Sequence, residues 1–134
     1  KEYELYPDAR RFATGSTSAL LAAGFLAALE HYESIGAQRI IEEITRLRHN
    51  AYAVLAGIPG LEFISHPAPQ RCSGLVAFFL KGIDPAKMTE RLWANHRIVV
   101  RYIKNTEILR ISLHYHNTPA DIEYLGRALA RELA

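Results

Sequence analysis

The run SGLVAFFL at 73–80 has no charged residue and no alternation of polar and apolar positions. A strand-length segment of that kind fits best where both of its faces are covered, so it predicts a central strand with a layer on each side. The rest of the chain must then supply those layers and the flanking strands.

Helical layers come first in the sequence. From about Thr17 to Tyr32, Leu20, Leu21, Phe25, Ala28, Leu29 and Tyr32 recur at helical spacing. Small residues fill much of the remainder, which predicts a helix packed on more than one side. After the break SIG (34–36), Ile40, Ile44, Leu47, Ala51 and Val54 form one stripe over Ala37 to Leu55. Glu42, Glu43, Arg46 and Arg48 are expected to face water there. GIPG at 57–60 ends this helix with glycine and proline punctuation. LEFIS (61–65) reads as a short strand and HPAPQR as a loop. Beyond the apolar run, Asp84-Pro85 is an N-cap followed by proline at the first helical position, with Met88, Leu92 and Trp93 along one side. RIVVRYI (97–103) and ILRISL (108–113) read as two further strands joined by KNTE. Thr118-Pro119-Ala120-Asp121 repeats the capping logic and starts a last helix to about Leu133, with Ile122, Leu125, Leu129 and Leu133 as its buried stripe. The predicted class is α+β: one small, mostly antiparallel sheet covered by helices. Residues 1–16 read as a connector and 17–134 as one domain. The opening KEYELYPDARRF reads as an entry from something upstream, so a fragment of a longer protein is expected.

A chain of 134 residues is one domain with a real core. A formal charge of +2, with its arginines dispersed, argues against nucleic acid. No apolar run approaches the roughly 18 residues of a membrane span. The single cysteine, Cys72, forms no internal disulfide and fits a reducing, cytoplasmic compartment. Beside an apolar run it reads as a buried, inert thiol.

The polar signal is concentrated in LRISLHYHNTPADIEYL (109–125). Arg110 alternates with Leu109 and Ile111, so it points to the face opposite the aliphatics. Its planar fork suits a carboxylate, although spacing alone favours a solvated arginine paired with a glutamate. His114 and His116 share a face as an i, i+2 pair and could be metal ligands, but no Asp, Glu or Cys stands at a partner spacing. Asn117-Thr118 reads as turn chemistry, and His31, His49, His66 and His96 as surface residues. The second stretch is RRFATGSTSALL (10–21), where Gly15, Ser16, Thr17 and Ser18 form a small-residue turn before a helix. Such a turn is either an anion site or simple N-capping, and capping is the better reading by itself. No Gly-Lys-Ser/Thr follows as in a P-loop, and no nucleophile arrangement with a base can be argued.

These two stretches and their separation resemble the C-terminal small domain of the class V aminotransferase family, pyridoxal-phosphate enzymes of fold type I. DARRFATGS is similar to the family's Arg-Phe-Glu-x-Gly-Thr segment. AALEHYESIGAQRIIEEITRLRHNAYAVLAGIPGLEF resembles the long helix and strand that follow it, and SGLVAFFLKGIDPAKMTERLWANHRIVVR resembles the next strand-helix-strand unit. LRISLHYHNTPADIEYLGRAL matches the closing Arg-x-Ser-x-x-x-Tyr-Asn-Thr-x-x-Asp pattern. The resemblance implies pyridoxal 5'-phosphate as cofactor, a small amino acid as substrate, and a homodimer. It implies Arg110 as the anchor of the substrate α-carboxylate and Arg101 as an arginine near the mouth of the active site. Ser16 stands where the family usually has a Thr that reaches the cofactor phosphate of the partner subunit, with Gly15 letting the turn approach. Ala13 replaces the family's Glu. Only YIKNTEI separates Arg101 from Leu109, without the longer loop and cysteine that desulfurases of the family carry, which disfavours desulfuration through a persulfide. Lys1, Lys81, Lys87 and Lys104 do not match the context of the family's Schiff-base lysine, which lies in the large domain. The implied reactions are transamination, racemisation or epimerisation, and C–S lysis, with this chain inactive alone. A non-catalytic α+β binding or dimerisation module is the alternative.

Overall fold

The computed structural model describes residues 4–13, 15–16, 18–68 and 73–134, so Lys1, Thr17 and Cys72 lie outside the described residues. Two compact units divide the chain, Lys1–Ala37 and Gln38–Ala134.

The first unit holds a short 3-10 turn, Ala9–Phe12, and helix α1, Ala19–Ile35. Asp8 caps the 3-10 turn and pairs with Arg10 at 2.7 Å. The N-cap of α1 is Ser18, whose hydroxyl accepts from the Leu21 N–H, so the helix starts two residues later than the periodicity predicts and runs three further. None of its residues is buried: Leu20, Leu21, Phe25 and Leu26 are all more than half exposed.

The second unit is the predicted α+β layer. Helix α2 (Ala37–Leu55), strands β1 (Leu61–Phe63) and β2 (Leu75–Leu80), helix α3 (Pro85–His96), strands β3 (Arg101–Tyr102) and β4 (Leu109–Ser112), and helix α4 (Pro119–Leu133) follow in order. The strands form one sheet in the order β1-β2-β4-β3, antiparallel throughout. Val76, Phe78 and Leu80 of β2 and Leu109 and Ile111 of β4 point to the core face. They pack there with residues that include Leu47, Ala51 and Leu55 of α2, Met88 and Leu92 of α3, and Ile122, Leu125 and Leu129 of α4. Each fully buried side chain of this size contributes roughly 1.5–3 kcal/mol. Helix α4 approaches α2 so closely at Gly126 that a Cβ there would collide with Val54 Cγ1.

Several expectations are corrected. Strand β2 is central but not doubly covered within the second unit: Leu75 is 41% exposed, and Ala77 and Phe79 are only half-buried, so the described residues of this unit leave one face of the sheet open. The apolar run therefore alternates in burial, although it does not alternate in composition. The strand expected over 97–103 shrinks to two residues, because Arg97 takes a left-handed conformation (φ 57°) to end α3. Its N–H donates to Trp93 O and that of Ile98 to Leu92 O, a double closure that uses those groups before any ladder begins. LEFIS pairs only through Phe63, after which Ile64 and Ser65 both donate to Ala77 O (2.9 and 3.1 Å), two residues opposite one in a bulge. Within α3, Trp93 is 52% exposed rather than inward.

Arg48 is the largest departure. Expected in water, it is 1% exposed. Nη1 donates to the Pro67 carbonyl at 3.0 Å and to that of His66 at 3.4 Å, while Nε and Nη2 are buried without a partner. Its guanidinium lies 5.7 Å from the centroid of the Tyr52 ring.

Candidate functional site

Antiparallel register decides what the open sheet face presents. Ala77 of β2 is opposite Arg110 of β4, and Arg110 is opposite Arg101 of β3. Residues directly opposite in adjacent strands share a face, so Ala77, Arg110 and Arg101 form one row across the open side. Leu109 and Ile111, on either side of Arg110, are buried in the core. The alternation predicted for Arg110 is therefore the geometry found.

The row is tightly framed. Its Ala77 end is fixed by the bulge, where the Ala77 N–H donates to Ser65 Oγ at 2.8 Å and the Tyr52 hydroxyl donates to Ser65 O at 2.7 Å. Ala77 is the smallest side chain of β2, and it is the residue that stands opposite Arg110. That alanine inside LVAFFL was a sequence signal that periodicity could not interpret without the register. Beyond β4, Gly74 meets Leu113, whose N–H donates to Gly74 O at 2.7 Å; a Cβ at Gly74 would overlap the Leu113 carbonyl oxygen.

At the other end, β3 is held by its approaches. Glu132 of α4 gathers the end of α3: Arg91 Nε at 2.6 Å, Asn95 Nδ2 at 2.9 Å and His96 Nε2 at 2.9 Å, with Arg91 Nη2 also donating to its backbone carbonyl. The Asn95 amide and then the Arg91 guanidinium hold the Glu132 carboxyl at about 2, well below its ordinary 4.5, against the opposing effect of burial. His96, expected at the surface, is a member of this cluster, with a side chain only 10% exposed. After β3, Ile103 N–H donates to Ile108 O at 2.9 Å and Asn105 takes φ 63°, so the KNTE turn is short and closed.

Neither Arg110 nor Arg101 forms an ion pair among the described residues, and Arg110 Nε is buried without a hydrogen-bond partner. The glutamate partner that spacing alone favours for Arg110 is thus absent among the described residues. A planar fork with free donors, fixed on a strand, suits an incoming carboxylate.

His114, Tyr115 and His116 form a small aromatic stack at the turn, with the two imidazoles 5.3 Å apart at 28°. Asn117 closes that turn, as its side chain accepts from His114 N–H at 2.9 Å and its own N–H donates to His114 O. Thr118 and Asp121 form a reciprocal capping box on α4. Gly15 and Ser16 belong to the first unit and lie just before α1. Ser16 is exposed, and a Cβ at Gly15 would meet nothing within 4 Å, so no contact among the described residues requires glycine there.

Residues 1–125 match the family described as aminotransferase class-V. The isopenicillin N epimerase of Amycolatopsis lactamdurans is 30% identical over 105 residues, covering 76% of this chain and 26% of that protein. A probable cysteine desulfurase of Methanothermobacter thermautotrophicus is 24% identical over 133 residues, covering 89% of this chain and 33% of that protein. The chain therefore spans about a quarter to a third of the length of the relatives it matches. Among solved structures, the cystine C–S lyase C-DES, in complex with its reaction product cysteine persulfide, superposes with a TM-score of 0.77 at 25% identity over 90% of this chain and 32% of that one. A variant of the same lyase carries glycine covalently linked to its PLP cofactor. The apo cysteine desulfurase of Thermococcus onnurineus shares the fold with a TM-score of 0.82 at 21% identity, covering 97% of this chain and 35% of that one. With the match running from the N-terminal turn into the last helix, this chain belongs to the aminotransferase class-V family.

Proposed function

We propose that the chain is the C-terminal small domain of a pyridoxal 5'-phosphate enzyme acting on a small amino acid, by transamination, epimerisation or C–S lysis. In this reading Arg110 anchors the substrate α-carboxylate and Arg101 stands beside it at the rim. One observation carries it: two arginines opposite each other on an open sheet face, with no carboxylate partner among the described residues and a buried, unpartnered Arg110 Nε.

The cofactor, when bound, supplies the electron sink, and the protein supplies positioning. On this chain Gly15 and Ser16 would face its phosphate, across a homodimer. They fit an anion in part: Ser16 is exposed, and the first turn of α1 contains no acidic side chain. The closed Ile103–Ile108 turn carries no cysteine, which favours the three reactions named over a persulfide route.

The test is Arg110→Ala in the protein that carries this chain. KM for amino acids should rise by the equivalent of about 2–4 kcal/mol, with the cofactor absorbance intact. An unchanged KM removes Arg110 from the site.

A further inference from the structure

Among the described residues four arginines hold a carboxylate: Arg10 pairs with Asp8, Arg46 with Glu43, Arg91 with Glu132 and Arg127 with Glu123. Arg11, Arg39, Arg48, Arg97 and Arg131 form no ion pair among the described residues, but none of these faces another arginine across a strand pair. Arg101 and Arg110 instead face each other in register with no acid between them. Directly opposite like charges weaken a strand pair, so this arrangement costs stability until negative charge arrives. The acids within reach by sequence do not supply it. Glu62 projects from the open face of β1, but β2 separates β1 from β4 and Glu62 is in register with Phe79, not Ala77. Glu107 sits in the turn after β3 and forms no ion pair among the described residues.

The two arginines also differ. Arg110 is half-buried in an inner strand, with Nε enclosed, whereas Arg101 is exposed on a two-residue edge strand whose following turn is too tight to cover it. A fixed, enclosed fork suits the group every substrate shares. An exposed fork one strand away suits a second group. An amino acid with a single carboxylate would satisfy Arg110 and leave Arg101 uncompensated.

We infer that the substrate is an acidic amino acid, whose second carboxylate or equivalent side-chain oxyanion is held by Arg101. This rests on the reading of Arg110 as the α-carboxylate anchor. The test is calorimetric titration of the protein that carries this chain with L-glutamate against L-glutamine, and L-aspartate against L-asparagine. In the wild type, at least one acidic member should bind about tenfold or more tighter than its amide, the scale of one charge-assisted contact. Arg101→Gln should bring that ratio to about twofold or less, and Arg101→Lys should restore part of it, since a lysine keeps the charge without the fork. Arg110→Gln should weaken acid and amide alike and preserve the ratio. Equal affinities in the wild type for both pairs, or an Arg101→Gln protein that keeps the preference, overturn the inference and leave the amino-acid site standing. Failure of all four amino acids to bind overturns the site and the inference together.

Discussion

Replacing Arg48 separates what its charge contributes from what its stem contributes. The side chain is 1% exposed, and only one of its three nitrogens is hydrogen-bonded, to the carbonyls of His66 and Pro67. Burying a cation costs several kcal/mol, and two carbonyl contacts with one ring at 5.7 Å offset part of that. Methionine matches the apolar stem and removes the charge, so Arg48→Met should fall within about 1 kcal/mol of wild type or be more stable. Alanine leaves the buried space of the stem empty beside Tyr52, and Arg48→Ala should lie about 2–5 kcal/mol below the methionine variant. Urea unfolding followed by Trp93 fluorescence measures both. With a slope of about 1–3 kcal/mol per molar, the two midpoints should differ by on the order of 1 M or more. If Met is as destabilising as Ala, the guanidinium holds the 66–67 segment by charge, and the reasoning from stem packing is refuted.

Two further perturbations probe the frame of the site. Gly126→Ala places a Cβ 2.5 Å from Val54 Cγ1, and valine in a helix cannot easily rotate away. It should cost about 1–3 kcal/mol in urea unfolding, and Val54→Ala in the same chain should recover part of that, a coupling visible in a double-mutant cycle. Glu132 has a folded pKa lowered to about 2, from an ordinary 4.5. Its contribution is therefore complete above about pH 4.5 and lost as pH falls toward 2. Acid unfolding should steepen over that window, and Glu132→Gln should flatten it; an unchanged profile would mean that the cluster at the end of α3 contributes nothing to acid stability.

Much of the fold was legible because its signals are local. Helix α2 has the bounds its stripe predicts, and Asp84-Pro85 and Thr118-Pro119 open α3 and α4 where capping chemistry places them. The alternation around Arg110 likewise predicted which face it takes. What was not legible depends on partners distant in sequence. Arg48 sits beside Leu47 on the core side of α2, but a charged residue next to a stripe reads as solvated until the 66–67 carbonyls are known to lie against it. IVV at 98–100 has strand composition, yet the left-handed Arg97 spends the adjoining hydrogen bonds on ending α3. The opposition of Arg101 and Arg110 depends on the register of two short strands, which no periodicity within either strand encodes.

The central claim, that Arg110 receives a substrate carboxylate, is tested most directly by changing the ligand and the residue together. Binding of an amino acid and of its α-carboxamide would be measured in the protein that carries this chain, with Arg110 and with Arg110→Gln. A bidentate arginine–carboxylate pair predicts a coupling of about 2–4 kcal/mol between the two changes, the carboxamide losing affinity only where Arg110 is present. Additive effects, with the carboxamide penalty the same in both proteins, would contradict it.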